Sequence, residues 1–285
     1  MDITKVKFNL SVLNKENIEA NIDDFLAHFY QTRTMDPKVK REKYLLALNN
    51  LQKNAIPTSE EYINVEESSN NDILDYLLKS KKTPEENNDL YSHKDNLEIK
   101  EKINQALELI KKLNAGLYTL IYKLVGSIVF SKSGNFSSAT TPAHLGIIFL
   151  NPKESWEIVD YAESIYHEFI HLSIFLEDMI HNLFNSNEVQ VKSVIRGVHR
   201  PLDKSFHAAI VSIGIMHLYY MLGDVKKTFL YMSELNEAVS ELVQVDTHLN
   251  SKGKELLENM KLFLRTKDFE SINISLENNL SVSSA

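Results

Sequence analysis

The chain has 285 residues and no cysteine. That excludes disulfides, thiolate metal sites and a cysteine nucleophile. Glycine and proline are scarce, at 8 and 6 residues, which favours long helices over many short strands joined by turns. Positive charge is not in excess. The net charge of -8 leaves no basic field to attract nucleic acid. Long apolar runs are missing too. The two most apolar stretches, AGLYTLIYKLVGSIVF and HAAIVSIGIMHLYYML, are interrupted by Lys123 and His217. Neither reaches the roughly 18 uninterrupted apolar residues of a membrane span. The opening MDITKVKFNLSVLNKENIEANIDDF lacks a basic stretch followed by a sustained apolar run, so no secretory signal is expected there. These absences predict a cytoplasmic protein with neither nucleic-acid nor membrane partners.

Helical periodicity is what the chain has in quantity. Ile18, Ile22, Phe25 and Leu26, then Tyr44, Leu45, Leu48 and Leu51, recur near 3.6-residue spacing across 16–54. A second stripe, Ile103, Leu107, Ile110, Leu113 and Leu117, predicts helix over about 98–125. Between them the chain turns polar, and the short piece ILDYLL is read as one short helix flanked by loops. The runs GSIVFS and HLGIIFLNP are short and rich in β-branched and aromatic residues, and KSGNFSSATTPA separates them with turn formers. They predict a pair of strands. A long helix is expected from about Ser155 to Asn185, then helices over about 203–222, 225–244 and 249–266, with a frayed tail LENNLSVSSA. The fold class expected is mainly α: a helical, bundle-like domain with a small β-hairpin or sheet beside a central helix. The expected organisation is an N-terminal helical region over 1–115 and a second domain over 116–285.

That central helix carries His167-Glu168-Phe169-Ile170-His171. The two histidines stand one turn apart on one face, while Ile158, Ala162, Ile165, Phe169, Leu172, Leu176 and Ile180 form the stripe opposite. Ile170, Ile174 and Phe175 make the histidine side apolar as well. Histidines in such a place are neutral and partnered, or they bind a metal. A bland alternative is a pair of core histidines satisfied by carbonyls or carboxylates. A zinc peptidase would use Glu168 as general base toward a metal-bound water. It would also need a third ligand. The candidate positions fall on Ile174 and Glu177 in one peptidase pattern, and on Gln190 in another, with Glu188 nearby but out of phase. Downstream, KSVIRGVHRPLDKSFHAAIVSIG supplies Arg196, His199, Arg200 and His207, with Asp203 as candidate N-cap of the next helix. A histidine from a separate helix would complete a facial set on His167 and His171. Two arginines close to a metal ligand make sense if an anion binds there.

Four pieces in order carry a resemblance: Leu150-Asn151-Pro152 ending a strand, His167-Glu168-Phe169-Ile170-His171, Ser193-Val194-Ile195-Arg196, and Arg200-Pro201-Leu202 followed by His207. THLNSKGKELL is a weaker fifth. Over about 126–260 the chain resembles the HExxH-type 2-oxoglutarate- and iron-dependent peptide β-hydroxylases, which modify ribosomally made peptides. It departs at Phe169, where that family usually has Ala, and at Val194-Ile195, often Pro-Trp. The resemblance implies Fe(II) on His167, His171 and His207, with Asp203 or Glu188 as carboxylate alternatives for the third ligand. Glu168, rotated about 100° from His167 on the helix, would then orient a ligand or a bound water. Arg196 or Arg200 would hold the far carboxylate of 2-oxoglutarate, Arg196 being preferred because Arg200 precedes Pro201 in an expected turn. The implied reaction hydroxylates a side-chain β-carbon of a precursor peptide. Residues 1–115 lie outside the resemblance and are a candidate region for binding the peptide's leader segment. The alternatives are the zinc metallopeptidase and a peptide-binding scaffold without activity.

Overall fold

A computed structural model describes residues 8–32, 35–53, 56–58, 62–68, 90–132, 136–186 and 188–277. The fold is mainly α, as the composition predicted. Among the described residues the helices are α1 (Lys15–Tyr30), α2 (Pro37–Gln52), α3 (His93–Leu113), α4 (Ala115–Leu124), α5 (Ile158–His181), α6 (Leu202–Met221), α7 (Met232–Gln244), α8 (Ser251–Thr266) and α9 (Phe269–Glu277). The strands are β1 (Asn64–Glu67), β2 (Ser127–Phe130), β3 (Ser138–Ala139), β4 (Ile147–Leu150), β5 (Gln190–Lys192) and β6 (His199–Pro201). The chain divides into two compact units: a mid-chain unit, Leu26–Leu172, and a terminal unit, Met1–Phe25 with Ser173–Ala285. The 115/116 junction read from the sequence falls inside the mid-chain unit, in the first turn of α4. ILDYLL and residues 278–285 lie outside the described residues. No helix among the described residues is long and apolar enough to cross a membrane.

In the mid-chain unit the two predicted strand runs do pair, but in parallel. Ser127 stands opposite Ile147 and Phe130 opposite Leu150. β1 adds a third parallel strand, and β3 runs antiparallel on the far edge, giving the order β1-β2-β4-β3. A hairpin between the two runs is therefore corrected to a crossover. SIVF and IIFL are buried along their whole length, and continuous apolar runs rather than alternating ones characterise parallel strands covered on both faces. Gly146 turns the chain into β4 at φ +83°, and its carbonyl accepts N–H bonds from both Gly126 (2.9 Å) and Ser127 (3.2 Å). The helix expected over 98–125 is two helices. Asn114 breaks it and caps α4, its side chain accepting the Leu117 N–H at 2.8 Å.

Arg41 of α2 is buried at the other end of α4. Its Nε donates to the Tyr122 carbonyl at 2.6 Å, and Nη2 donates to Val125 (2.9 Å) and Tyr62 (3.2 Å). The guanidinium also sits 4.2 Å from the Tyr122 ring centre. A fixed cation thus satisfies the last carbonyls of α4, where the helix dipole is negative. Arg41→Ala strands buried acceptors and leaves a void, so it should destabilise the protein by about 3 kcal/mol and lower Tm by roughly 5–10 °C. Arg41→Lys, which keeps charge but loses the fork, should fall between. A Tm within 1–2 °C of wild type for Arg41→Ala would contradict this role.

In the terminal unit α6 is buried almost all round from Leu202 to Tyr219. It begins at Leu202 with Pro201 in the cap position and no side-chain cap. Asp203, expected to be the cap, lies instead in the first turn, where its charge suits the positive helix end. The start is fixed by Ser205, whose Oγ donates to the Val191 carbonyl of β5 at 2.6 Å. Asn250 caps α8 by accepting the Gly253 N–H at 2.9 Å, which agrees with the helix start read in THLNSKGKELL. Glu177, on α5, is wholly buried. Its carboxylate accepts from Ser11 Oγ (2.9 Å), Asn17 Nδ2 (2.6 Å) and Asn21 Nδ2, with Lys252 Nζ 3.6 Å away. Those bonds tie the first turns of the chain to α5 and α8, and they commit Glu177 to structure.

Candidate metal centre

Along α5 the mid-chain unit buries Tyr161, Ala162, Ile165, Tyr166, Phe169 and Ile170. His167 and His171 lie on a row that is only half-buried, so the sequence expectation of a helix apolar and covered nearly all round is corrected at that row. The two imidazole rings lean together with centres 5.0 Å apart and planes at 53°. Bound nitrogens sit 2.0–2.1 Å from an ion, which puts it roughly 3.2 Å from each ring centre; a ligand angle near 100° then separates the centres by about 5 Å. The pair therefore fits two ligands of one metal ion.

Glu168 is buried more deeply than the histidines that flank it. Its side chain is 3% exposed against 25% for His167. Its carboxyl accepts a 2.6 Å bond from Ser138 Oγ on β3 and another from the Thr140 backbone N–H. Burial pushes its pKa up to about 8, against the opposing pull of those two donors. Glu168 Oε1 lies 3.8 Å from His167 Nε2, within electrostatic reach of the ring and beyond hydrogen-bond distance. In the sequence Ser138 and Thr140 stand among turn formers and carry no sign of this role. The signal that could have found them is their position in the one polar segment between two buried strands. Nearby, the Thr141 hydroxyl is buried without a hydrogen-bond partner among the described residues.

The remaining sequence candidates belong to the terminal unit. β5 and β6 form a hairpin in which Val191 stands opposite Arg200. Arg196 is exposed in its turn, next to Gly197 at φ +65°. Arg200 is half-buried on β6, so the expectation that Arg200 occupies a turn is corrected: the turn holds Arg196. His199 is exposed, with Glu241 3.4 Å away. His207 is buried in the second turn of α6, its ring 5.1 Å from Phe175 and 6.4 Å from Phe184. Burial, helped by Lys204 and opposed by Asp203, lowers its pKa to about 3, so it is a neutral imidazole at physiological pH, the form that ligates metals. Asp203 lies one turn before it and pairs with Lys204 at 3.4 Å. Glu188 is exposed, its N–H on Ser186 Oγ. Of the predicted residues, His167, Glu168 and His171 come together, and Arg200 leads directly into the helix that carries Asp203 and His207. No three His, Asp or Glu side chains converge on a metal-sized point among the described residues. No protein-family model matches the chain, and no curated protein matches it.

The raised pKa of Glu168 has a stability consequence in metal-free protein. Its proton is held up to about pH 8 in the fold, against the ordinary 4.5. That stabilisation is complete below 4.5 and is lost as pH rises through 8. Glu168→Gln mimics the protonated acid at every pH. The Tm difference between Glu168→Gln and wild type should be near zero at pH 4.5 and should widen toward pH 8. By pH 7 it corresponds to about 3 kcal/mol. A difference that stays flat from pH 4.5 to 8 would show the carboxyl to be ionised in the fold.

Proposed function

We propose that the protein is an iron(II)- and 2-oxoglutarate-dependent dioxygenase that hydroxylates a side-chain β-carbon in a ribosomally made precursor peptide. The observation that carries this reading is the division of labour on α5. Two half-buried imidazoles lie with their ring centres 5.0 Å apart, while the carboxyl between them is buried and held by Ser138 and Thr140. A peptidase needs that carboxyl at a water; an oxygenase needs only that it steady its neighbours.

His167 and His171 would hold the iron, and His207 is assigned as third ligand on its place in the sequence pattern and its neutral, buried imidazole. Asp203 is the carboxylate alternative, one turn away on the same helix. Glu188, exposed in a loop, is the weaker one. Bound ferrous iron with 2-oxoglutarate supplies the oxidising chemistry, in which O2 and 2-oxoglutarate become succinate, CO2 and the substrate's new hydroxyl oxygen. The chain's own groups place and screen. Arg200, half-buried on a paired strand, suits a bidentate grip on the distal carboxylate better than Arg196 on an exposed turn. Buried Glu168 keeps a carboxyl oxygen 3.8 Å from His167 Nε2, where its protonation state changes the field at that ring. Absence of cysteine suits a reducing, cytoplasmic setting.

A zinc metallopeptidase is the second reading. It is favoured by one observation: a carboxyl with a pKa near 8 beside a candidate ligand is poised for base work near neutrality. Succinate release from 2-oxoglutarate under air, with ferrous iron and no peptide, separates the two. The oxygenase should form succinate at a slow uncoupled rate. Arg200→Ala should raise the 2-oxoglutarate concentration needed by roughly 10–100-fold, Arg196→Ala should raise it less, and Glu168→Gln should keep measurable turnover. No succinate, together with zinc-dependent peptide cleavage abolished in Glu168→Gln, would replace this reading with the peptidase.

A further inference from the structure

The hairpin of β5 and β6 carries both arginines, and its strands have three residues each. A two-stranded ribbon this short is marginal by itself, so its placement depends on what holds it. Across the hairpin the Ser193 N–H donates to the Val198 carbonyl at 2.9 Å, and the Leu202 N–H to the Val189 carbonyl at 2.8 Å. Hydrogen-bonded and open rungs alternate in an antiparallel pair. The rung of Lys192 and His199 is therefore open, and the Lys192 N–H points away from β6. It donates instead to Glu241 Oε2 on α7, at 2.7 Å. The same oxygen lies 3.4 Å from His199 Nε2. One carboxylate thus reaches both strands at a single rung.

A second contact supports the first. Glu237, one turn before Glu241 on α7, accepts from Lys192 Nζ at 2.6 Å. That bond, with the charges of Glu241 and Glu234 adding to it, raises the pKa of the Lys192 ammonium. Glu237 holds a long, flexible side chain, whereas Glu241 holds the backbone itself. A charge-assisted bond to a strand N–H fixes direction as well as position. The next rung is Val191 opposite Arg200. Successive strand residues point to opposite faces, so Arg200 stands on the face away from Lys192 and His199. Ser205 Oγ donates to the Val191 carbonyl at 2.6 Å. The rung that bears Arg200 is thus fixed by Ser205 of α6, and the rung beside it by Glu241 of α7.

We propose that Glu241 is a positioning residue for 2-oxoglutarate: by taking the Lys192 N–H it fixes the strand pair from which Arg200 grips the distal carboxylate. The inference rests on the role given to Arg200 under the proposed function. Two measurements on the full-length protein test it. One is hydrogen exchange over residues 190–201. The other is the 2-oxoglutarate Kd, read anaerobically from the visible band of the ferrous protein. Glu241→Ala should speed the exchange and raise the Kd about tenfold, with ferrous iron affinity unchanged. Glu241→Gln, whose amide oxygen still accepts the Lys192 N–H, should restore both values. In an Arg200→Ala background Glu241→Ala should add nothing to the Kd, an outcome that a purely structural anchor would not give. A Kd unchanged by Glu241→Ala while Arg200→Ala weakens binding would overturn the proposal alone. So would failure of Glu241→Gln to restore the Kd, or a full added cost beside Arg200→Ala. Arg200→Ala without effect on 2-oxoglutarate would remove the Arg200 assignment, and this proposal with it.

Discussion

A carboxyl group placed in a protein interior must find donors or keep its proton, and Glu168 does some of each. Ser138 Oγ and the Thr140 N–H reach it from the β3 edge, and burial still holds its pKa high. This constraint sets the rotation of α5. With Glu168 pointing inward together with Phe169, Ile165 and Ile170, His167 and His171 are left on the row that solvent and a ligand can reach. The four-stranded sheet matters to the site through that contact: β4 carries β3, and β3 presents Ser138.

The terminal unit answers a similar problem with another solution. Glu177 is as deeply buried as Glu168, yet two asparagine amides, a serine hydroxyl and a nearby lysine surround its carboxylate. One carboxyl is compensated for charge and fixes structure; the other is undercompensated and borders the histidine pair. Two glutamates nine residues apart on one helix thus differ in chemistry because of what the rest of the chain places against them.

The histidine pair was legible in the sequence because i and i+4 spacing on a helix needs no tertiary information. The apolar runs of β2 and β4 and most helices were legible for the same reason. Parallel pairing was not read, although continuous burial of SIVF and IIFL was its sign. The partners of Glu168 and Glu177 were out of reach, since Ser138 and Asn21 are far from them along the chain and look like ordinary turn and helix residues. Asp203 looks like a cap because aspartate prefers that position, but the cap position falls two residues earlier, at Pro201, with Ser205 bonded to β5. The roles of Arg196 and Arg200 depended on the exact span of a hairpin, which periodicity over three-residue strands does not define. Helix α9 was missed because its polar residues, Glu270, Asn273 and Glu277, dilute the apolar stripe of Phe269, Ile272 and Leu276.

Under the proposed function His167 and His171 are metal ligands of an oxygenase and Glu168 is not a ligand. The most direct measurement is anaerobic visible absorption of metal-free protein given ferrous iron and then 2-oxoglutarate. The charge-transfer band of a ferrous keto-acid chelate should appear in wild type and in Glu168→Gln, and should be lost in His167→Ala and His171→Ala. Iron bound without the band, or a band that survives removal of either histidine, would contradict that assignment.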